Sequence, residues 1–220
     1  MINLLLSIVL LTTSATTAPS ITDKLMPLQF SSTRPANAVV DTIVLHFSSD
    51  CVQHPDHPYD VDRQIEIFRD AKVSAHYIID RDGNIYRLVD ETRTAWHAGK
   101  GVLPWERKKR DSMNATSIGI EILAIGSQRD MVPLFMPAEK YEALKKAHPQ
   151  FIGFTDAEYA ALNRLLDDIL ARHGEIRKDR FHIIGHEEWA GRGRRTDPGE
   201  LFDWTKIGLT KERRNASNEK

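Results

Sequence analysis

Phe181-His-Ile-Ile-Gly-His-Glu-Glu-Trp-Ala-Gly-Arg-Gly-Arg-Arg-Thr-Asp-Pro-Gly199 opens as a short apolar strand that runs out at Gly185. That places His186 where a strand end gives onto a cleft. A loop rich in glycine and arginine then delivers Asp197, and Pro198 and Gly199 turn the chain away. An imidazole and a carboxylate joined by one loop supply two of the three protein ligands that a catalytic zinc site typically uses, its fourth position staying open. The same residues also read as a strand-capping histidine and ordinary turn chemistry, so a third ligand tips the balance. Asp41-Thr-Ile-Val-Leu-His-Phe-Ser-Ser49 offers one. Its run Ile43-Val44-Leu45 has the pattern of a strand buried on both faces, and His46 follows at its end. Two buried strands ending in histidine, plus one loop aspartate, fit a His-His-Asp set.

Moving outward, the 220 residues suffice for one well-cored domain. A formal net charge of −1 gives no case for nucleic acid or an anionic membrane surface as partner. The single cysteine, Cys51, excludes an internal disulfide but not an oxidising compartment. Residues 1–18 hold an apolar run, Leu4 onward, that ends in small residues through Ala18. This is a secretory signal pattern, too short for a membrane span, and implies a periplasmic or secreted protein. Residues 19–37 read as an extended lead-in, 38–209 as the folded domain and 210–220 as a polar tail.

Within the domain, Val61, Ile65 and Phe68 mark a short amphipathic helix. Strands at 74–80 and 85–89 flank an Asp82-Gly83 turn. Thr155-Asp-Ala-Glu158 is a capping box opening a long helix to about His173, with Tyr159, Leu162, Leu166, Ile169 and Leu170 as its buried stripe. Ser117-Ile-Gly-Ile-Glu-Ile-Leu123 is another buried strand, and Glu121 inside it is costly unless it faces a site or a partner. The loop 50–59 carries Cys51, His54 and His57, whose spacing matches no common zinc pattern. Residues 126–154 form a long connection with a helix expected from Pro137 to Ala147, shaping a groove wall. After the opening stretch, Leu201 to Trp204 should pack back on the sheet. Strands interleaved with helices predict an α/β (α+β) single domain around a central mixed sheet.

Val-Leu-His-Phe-Ser, Ser-Ala-His-Tyr-Ile-Ile-Asp-Arg-Asp-Gly, Ala-Trp-His-Ala-Gly, Ser-Ile-Gly-Ile-Glu, Gly-His-Glu-Glu and Gly-Arg-Arg-Thr-Asp-Pro-Gly occur in that order. Together they resemble the zinc-dependent N-acetylmuramoyl-L-alanine amidases of the type-2 amidase or peptidoglycan-recognition fold. The resemblance implies Zn2+ on His46, His186 and Asp197, and hydrolysis of the amide between N-acetylmuramic acid and L-alanine in peptidoglycan or muropeptides. It implies Glu121 as the proton-transferring carboxylate. A branch of the family carries a tyrosine just before the hairpin histidine; Ala75 stands there, which implies the glutamate branch. Arg195 lies where the family often has lysine, and is expected to stabilise the oxyanion. The hairpin is implied at the sheet's centre, making His76 structural. Trp96 and His97 are implied at the site's rim, and Arg192 and Arg194 are candidates for substrate contact. The chain is expected to act as a monomer. A rival reading is a non-catalytic peptidoglycan-binding module on the same fold; a metallopeptidase acting within the stem peptide lacks its His-Glu-x-x-His helix here.

Overall fold

The computed structural model describes residues 18–106 and 112–212, so the expected leader and most of the polar tail lie outside the described residues. Eight strands are β1 (Ile21–Asp23), β2 (Ser31–Thr33), β3 (Thr42–Ser48), β4 (Tyr77–Ile79), β5 (Ile85–Arg87), β6 (Arg93–Ala95), β7 (Ser117–Leu123) and β8 (Ile183–Gly185). Five α-helices are α1 (Val61–Asp70), α2 (Gln128–Met131), α3 (Ala138–Ala147), α4 (Asp156–Arg172) and α5 (His186–Ala190). Six strands make one mixed sheet in the order β1-β5-β4-β7-β3-β8, and β2 pairs with β6 in a separate antiparallel ribbon. Only the β4–β5 hairpin runs antiparallel within the large sheet. β4 and β7 are its two middle strands, and β3 lies parallel beside β7 with His46 opposite Glu121.

β3 and β7 are buried on both faces, and in β3 this shows as a near-continuous apolar run. Ile43, Leu45, Ile118, Ile120 and Ile122 pack with Leu162, Leu165, Leu166 and Ile169 of α4 on one face. The expected stripe is present, with Leu165 added to it and Leu170 only partly buried. The predicted capping box starts this helix: Thr155 Oγ1 accepts from the Glu158 N–H, and Glu158 Oε2 accepts from the Thr155 N–H. On the opposite face, Ile78 and Leu123 meet Ile65 and Phe68 of α1, whose first turn is capped by Asp60. Further along that face, Val44 and Ile184 meet Trp189 of α5.

Two expectations change. The lead-in is part of the fold: β1 pairs parallel with β5 at the sheet edge, and β2 pairs with β6. Arg34, just beyond β2, donates to the carbonyls of Glu91, Arg93, Asn114 and Ala115. In the segment 201–204, Phe202 and Trp204 pack on the sheet as expected, but Leu201 is exposed. α3 spans nearly the predicted residues and buries Tyr141 and Leu144. No described helix is long and apolar enough to cross a membrane.

Candidate metal centre

Strand β3 presents His46 on the α1 face, β8 runs directly into α5 so that His186 is its first residue, and the loop after α5 returns Asp197 beside both. The Glu187 N–H donates to the Asp197 carbonyl at 2.9 Å, tying the loop to the start of α5. All three side chains are buried, and their ligand atoms lie within 4.8 Å of one another. They are the one such group of three or more among the described residues. Cys51, His54 and His57 form no second cluster: Cys51 is buried, and His54 pairs with Asp50.

Hydrogen bonding assigns the protons. His46 Nδ1 and His186 Nδ1 both face Asp197 Oδ2, at 2.7 and 3.0 Å. His186 Nε2 lies 3.2 Å from the Ala98 carbonyl, which only accepts, so this nitrogen carries the hydrogen. The other chain of bonds ends on a second carbonyl. Ser117 Oγ–H donates to Met113 O at 2.7 Å, so its oxygen accepts from His97 Nε2–H at 3.1 Å. His97 Nδ1 is then an acceptor, and it takes the hydrogen of His46 Nε2 at 3.1 Å. Burial, then the charge of His186, depress the His46 imidazole to about 4; burial, then the charge of His46, hold His97 well below its ordinary value. Where each ring carries its proton on Nε2, as these bonds assign it, two bare Nδ1 lone pairs point at a carboxylate oxygen. Acceptors facing acceptors in a buried space call for a cation between them, and two imidazoles with one carboxylate are a zinc donor set. Each Nε2–H on an outer acceptor is the usual support for a metal-ligating histidine.

Glu121 is buried on the same face of the sheet. Burial, then the negative charge of Asp197, push its carboxyl well above the usual range. Arg195 is exposed, with Nη1 donating to the Arg194 carbonyl at 2.8 Å, and its charge acts on both His46 and Glu121.

The remaining candidates are placed differently from one another. Both ring nitrogens of His97 are engaged inside the protein. Trp96 is half-buried, its indole N–H 3.4 Å from Ser32 Oγ on β2. Arg192 is ion-paired with Asp130 and Glu187. Arg194 is exposed and donates to the Lys100 carbonyl. His76 is structural: its Nδ1 accepts the Gly119 N–H at 3.0 Å. Tyr77 faces away from the site and donates to Glu91.

Sequence reasoning missed Ser117, Gly119 and Asn114. Asn114 Oδ1 accepts from the Ala98 and Gly99 N–H groups and so shapes the loop beside His97. A Cβ on Gly119 would lie 2.4 Å from His97 Cγ, so only glycine leaves room for this ring. The signal was present in β7: Ser117, Gly119 and Glu121 share one face and the isoleucines the other, an alternation that marks a face not packed on an apolar core.

A mixed sheet holding two histidines, one aspartate and a neighbouring buried glutamate has the layout of a mononuclear metal centre. The chain belongs to the N-acetylmuramoyl-L-alanine amidase family (Amidase_2), which matches residues 35–200. It is 32% identical over 148 residues to the 1,6-anhydro-N-acetylmuramyl-L-alanine amidase AmpD of Haemophilus influenzae, covering 67% of this chain and 61% of that protein. It is 30% identical over 175 residues to the N-acetylmuramoyl-L-alanine amidase AmiD of Escherichia coli, covering 76% of this chain and 52% of that protein. Among solved structures, AmpDh3 of Pseudomonas aeruginosa in complex with anhydromuramic pentapeptide matches with a TM-score of 0.56 at 26% identity, covering 80% of this chain and 62% of that one. The alignments thus span roughly half to three fifths of the length of the curated relatives.

Proposed function

We propose that this protein hydrolyses the amide between the lactyl group of N-acetylmuramic acid and L-alanine, using zinc held by His46, His186 and Asp197. One observation carries the reading: two histidines whose hydrogen bonds leave both Nδ1 atoms bare meet a carboxylate beside a buried glutamate. Family membership and relatives whose names specify this amide support the substrate.

Zinc held by His46, His186 and Asp197 would supply Lewis-acid chemistry, polarising a carbonyl and lowering the pKa of a water. Glu121 takes the proton released by the attacking water and delivers it to the departing alanine nitrogen. Arg195 brings a fixed positive charge from the solvent side toward the oxyanion. His97 supports the ring of His46 and does not itself hold the substrate. Arg192, engaged by Asp130, has the same supporting character, while Trp96 and Arg194 remain as the substrate contacts of the rim. The protein is exported by the apolar N-terminal run, with a mature N-terminus between about residues 16 and 20, and acts as a monomer.

The test uses purified mature protein on intact sacculi and on 1,6-anhydro-muropeptides, with products identified by mass spectrometry. Free stem peptides starting at L-alanine, lost on chelation, are expected. Binding to sacculi without any cleavage would replace this reading with a peptidoglycan-binding module, and cuts within the stem peptide with a peptidase.

A further inference from the structure

The connection between β7 and α4 does something its sequence does not announce. Its short helix α2 begins at a Ser127/Asp130 capping box, with Ser127 Oγ and the Ser127 N–H donating to Asp130 Oδ2 at 2.8 and 3.2 Å. That carboxylate is fully buried, and it does not stop at its own helix. The same Oδ2 accepts from the Glu200 N–H at 2.9 Å, and Oδ1 accepts from Arg192 Nη2 at 2.9 Å. The Asp130 carbonyl accepts from Thr196 Oγ1 at 2.9 Å. Gly199, at φ +80°, lies so close that a Cβ there would sit 2.5 Å from Asp130 Oδ2. Arg192, Thr196, Gly199 and Glu200 bracket Asp197 on both sides.

We infer that Asp130 is a positioning residue for the metal centre: it fastens the loop 192–200 so that the Asp197 carboxylate stands opposite the two Nδ1 atoms. The inference rests on the ligand assignment made above. The physical need is plain. The loop after α5 has no strand partner, carries two further glycines at 191 and 193 and is exposed from 191 to 195. Without an anchor, holding Asp197 in register costs ordering entropy at the moment of metal binding. Asp130 takes that cost during folding, because its partners are backbone and side-chain donors of the loop itself. A carboxylate is required: four donors converge on its two oxygens, and an amide would turn an N–H2 toward one set of them.

Asp130→Asn tests this. It keeps size and shape while opposing either Arg192 or the Ser127 and Glu200 donors. Zinc affinity is expected to fall about 10- to 100-fold, as on loss of other outer-shell partners. The Glu200 amide should exchange faster in the metal-free protein, and kcat should recover at saturating zinc. Thr196→Val removes one tether without touching the α2 cap, so it decides the matter if Asp130→Asn does not fold; a smaller loss of zinc affinity in the same direction is expected. Melting lowered in either variant with zinc affinity and Glu200 exchange unchanged would mean a merely structural role and would overturn the inference. Wild-type protein that takes up no zinc would instead refute the ligand assignment, and the anchor would then stand or fall on exchange at Glu200.

Discussion

Gly119→Ala tests the arrangement behind His46 without altering any group that touches metal or substrate. A Cβ at this position lies 2.4 Å from His97 Cγ and 2.6 Å from Nδ1. Ordinary contact is about 3.5–4.0 Å, so the ring must withdraw by roughly 1 Å. The His97 Nδ1 to His46 Nε2 separation, now 3.1 Å, then exceeds hydrogen-bonding range. Losing such a partner typically costs about 10- to 100-fold in metal affinity, about 1.4–2.7 kcal/mol. Stability should fall as well. The lost His97–His46 and weakened His97–Ser117 bonds cost about 1 kcal/mol each and displacing the ring about 1–3 kcal/mol, while alanine in a strand gains roughly 0.5–1 kcal/mol over glycine. We therefore expect metal-free protein that folds with lowered melting, and clearly weaker zinc binding. Competition against a chromophoric chelator measures the second, and thermal denaturation in chelator the first. A folded variant with unchanged zinc affinity would refute the idea that His97 holds His46 in its metal-binding tautomer.

Glu121→Gln should keep its zinc and lose about 10²- to 10⁴-fold in turnover, as general-base removal does; loss of metal would make Glu121 a ligand or its support. Arg195→Ala should also slow turnover with zinc content intact, read by metal analysis beside kinetics on muropeptides. Chelation should lower the melting temperature, because binding free energy at a buried three-ligand site is folding free energy; identical melting with and without chelator would place the ion elsewhere. His76 carries a pH prediction: burial, then the charge of Arg34, depress its imidazole to about 4 from 6.5. The unfolded chain therefore binds more protons between those values, so the stability is present above about 6.5 and is lost as pH falls toward 4, up to about 3 kcal/mol. Chelated His76→Gln should lose less stability than chelated wild type between pH 7 and 5, by denaturant titration, and equal slopes would contradict it.

What was legible in the chain was whatever repeats along it or closes within a few residues. The runs of β3 and β7, the stripe of α4 and the Thr155/Glu158 box depend on local spacing, and they appear where the pattern puts them. The His46, His186 and Asp197 cluster was readable because each stands at the end of an apolar run or in Asp-Pro-Gly. Asp130, Arg34 and Ser117 were not, because their roles lie in bonds to carbonyls and amides tens of residues away. Such bonds are blind to the partner's side chain and leave no periodic trace. His97 was expected at the rim because the family resemblance puts its loop there; the space that receives the ring is cut by a glycine on another element. The lead-in read as extended but outside the folded domain because three-residue strands are too short to show alternation.

Arg34 bears on what the shortest self-folding version of this protein can be. The family match starts at residue 35, one position after it, and so leaves out this guanidinium together with β1 and β2. A chain trimmed there would leave the carbonyls of Glu91, Arg93, Asn114 and Ala115 without their shared donor. The Arg93 carbonyl keeps His76 Nε2 at 3.2 Å, but the other three lose a charged donor worth about 1.5–3 kcal/mol each, a large part of the roughly 5–15 kcal/mol by which a whole domain is stable. The outer limit of the autonomous unit is therefore set by the reach of one side chain, and it falls upstream of where the family match begins.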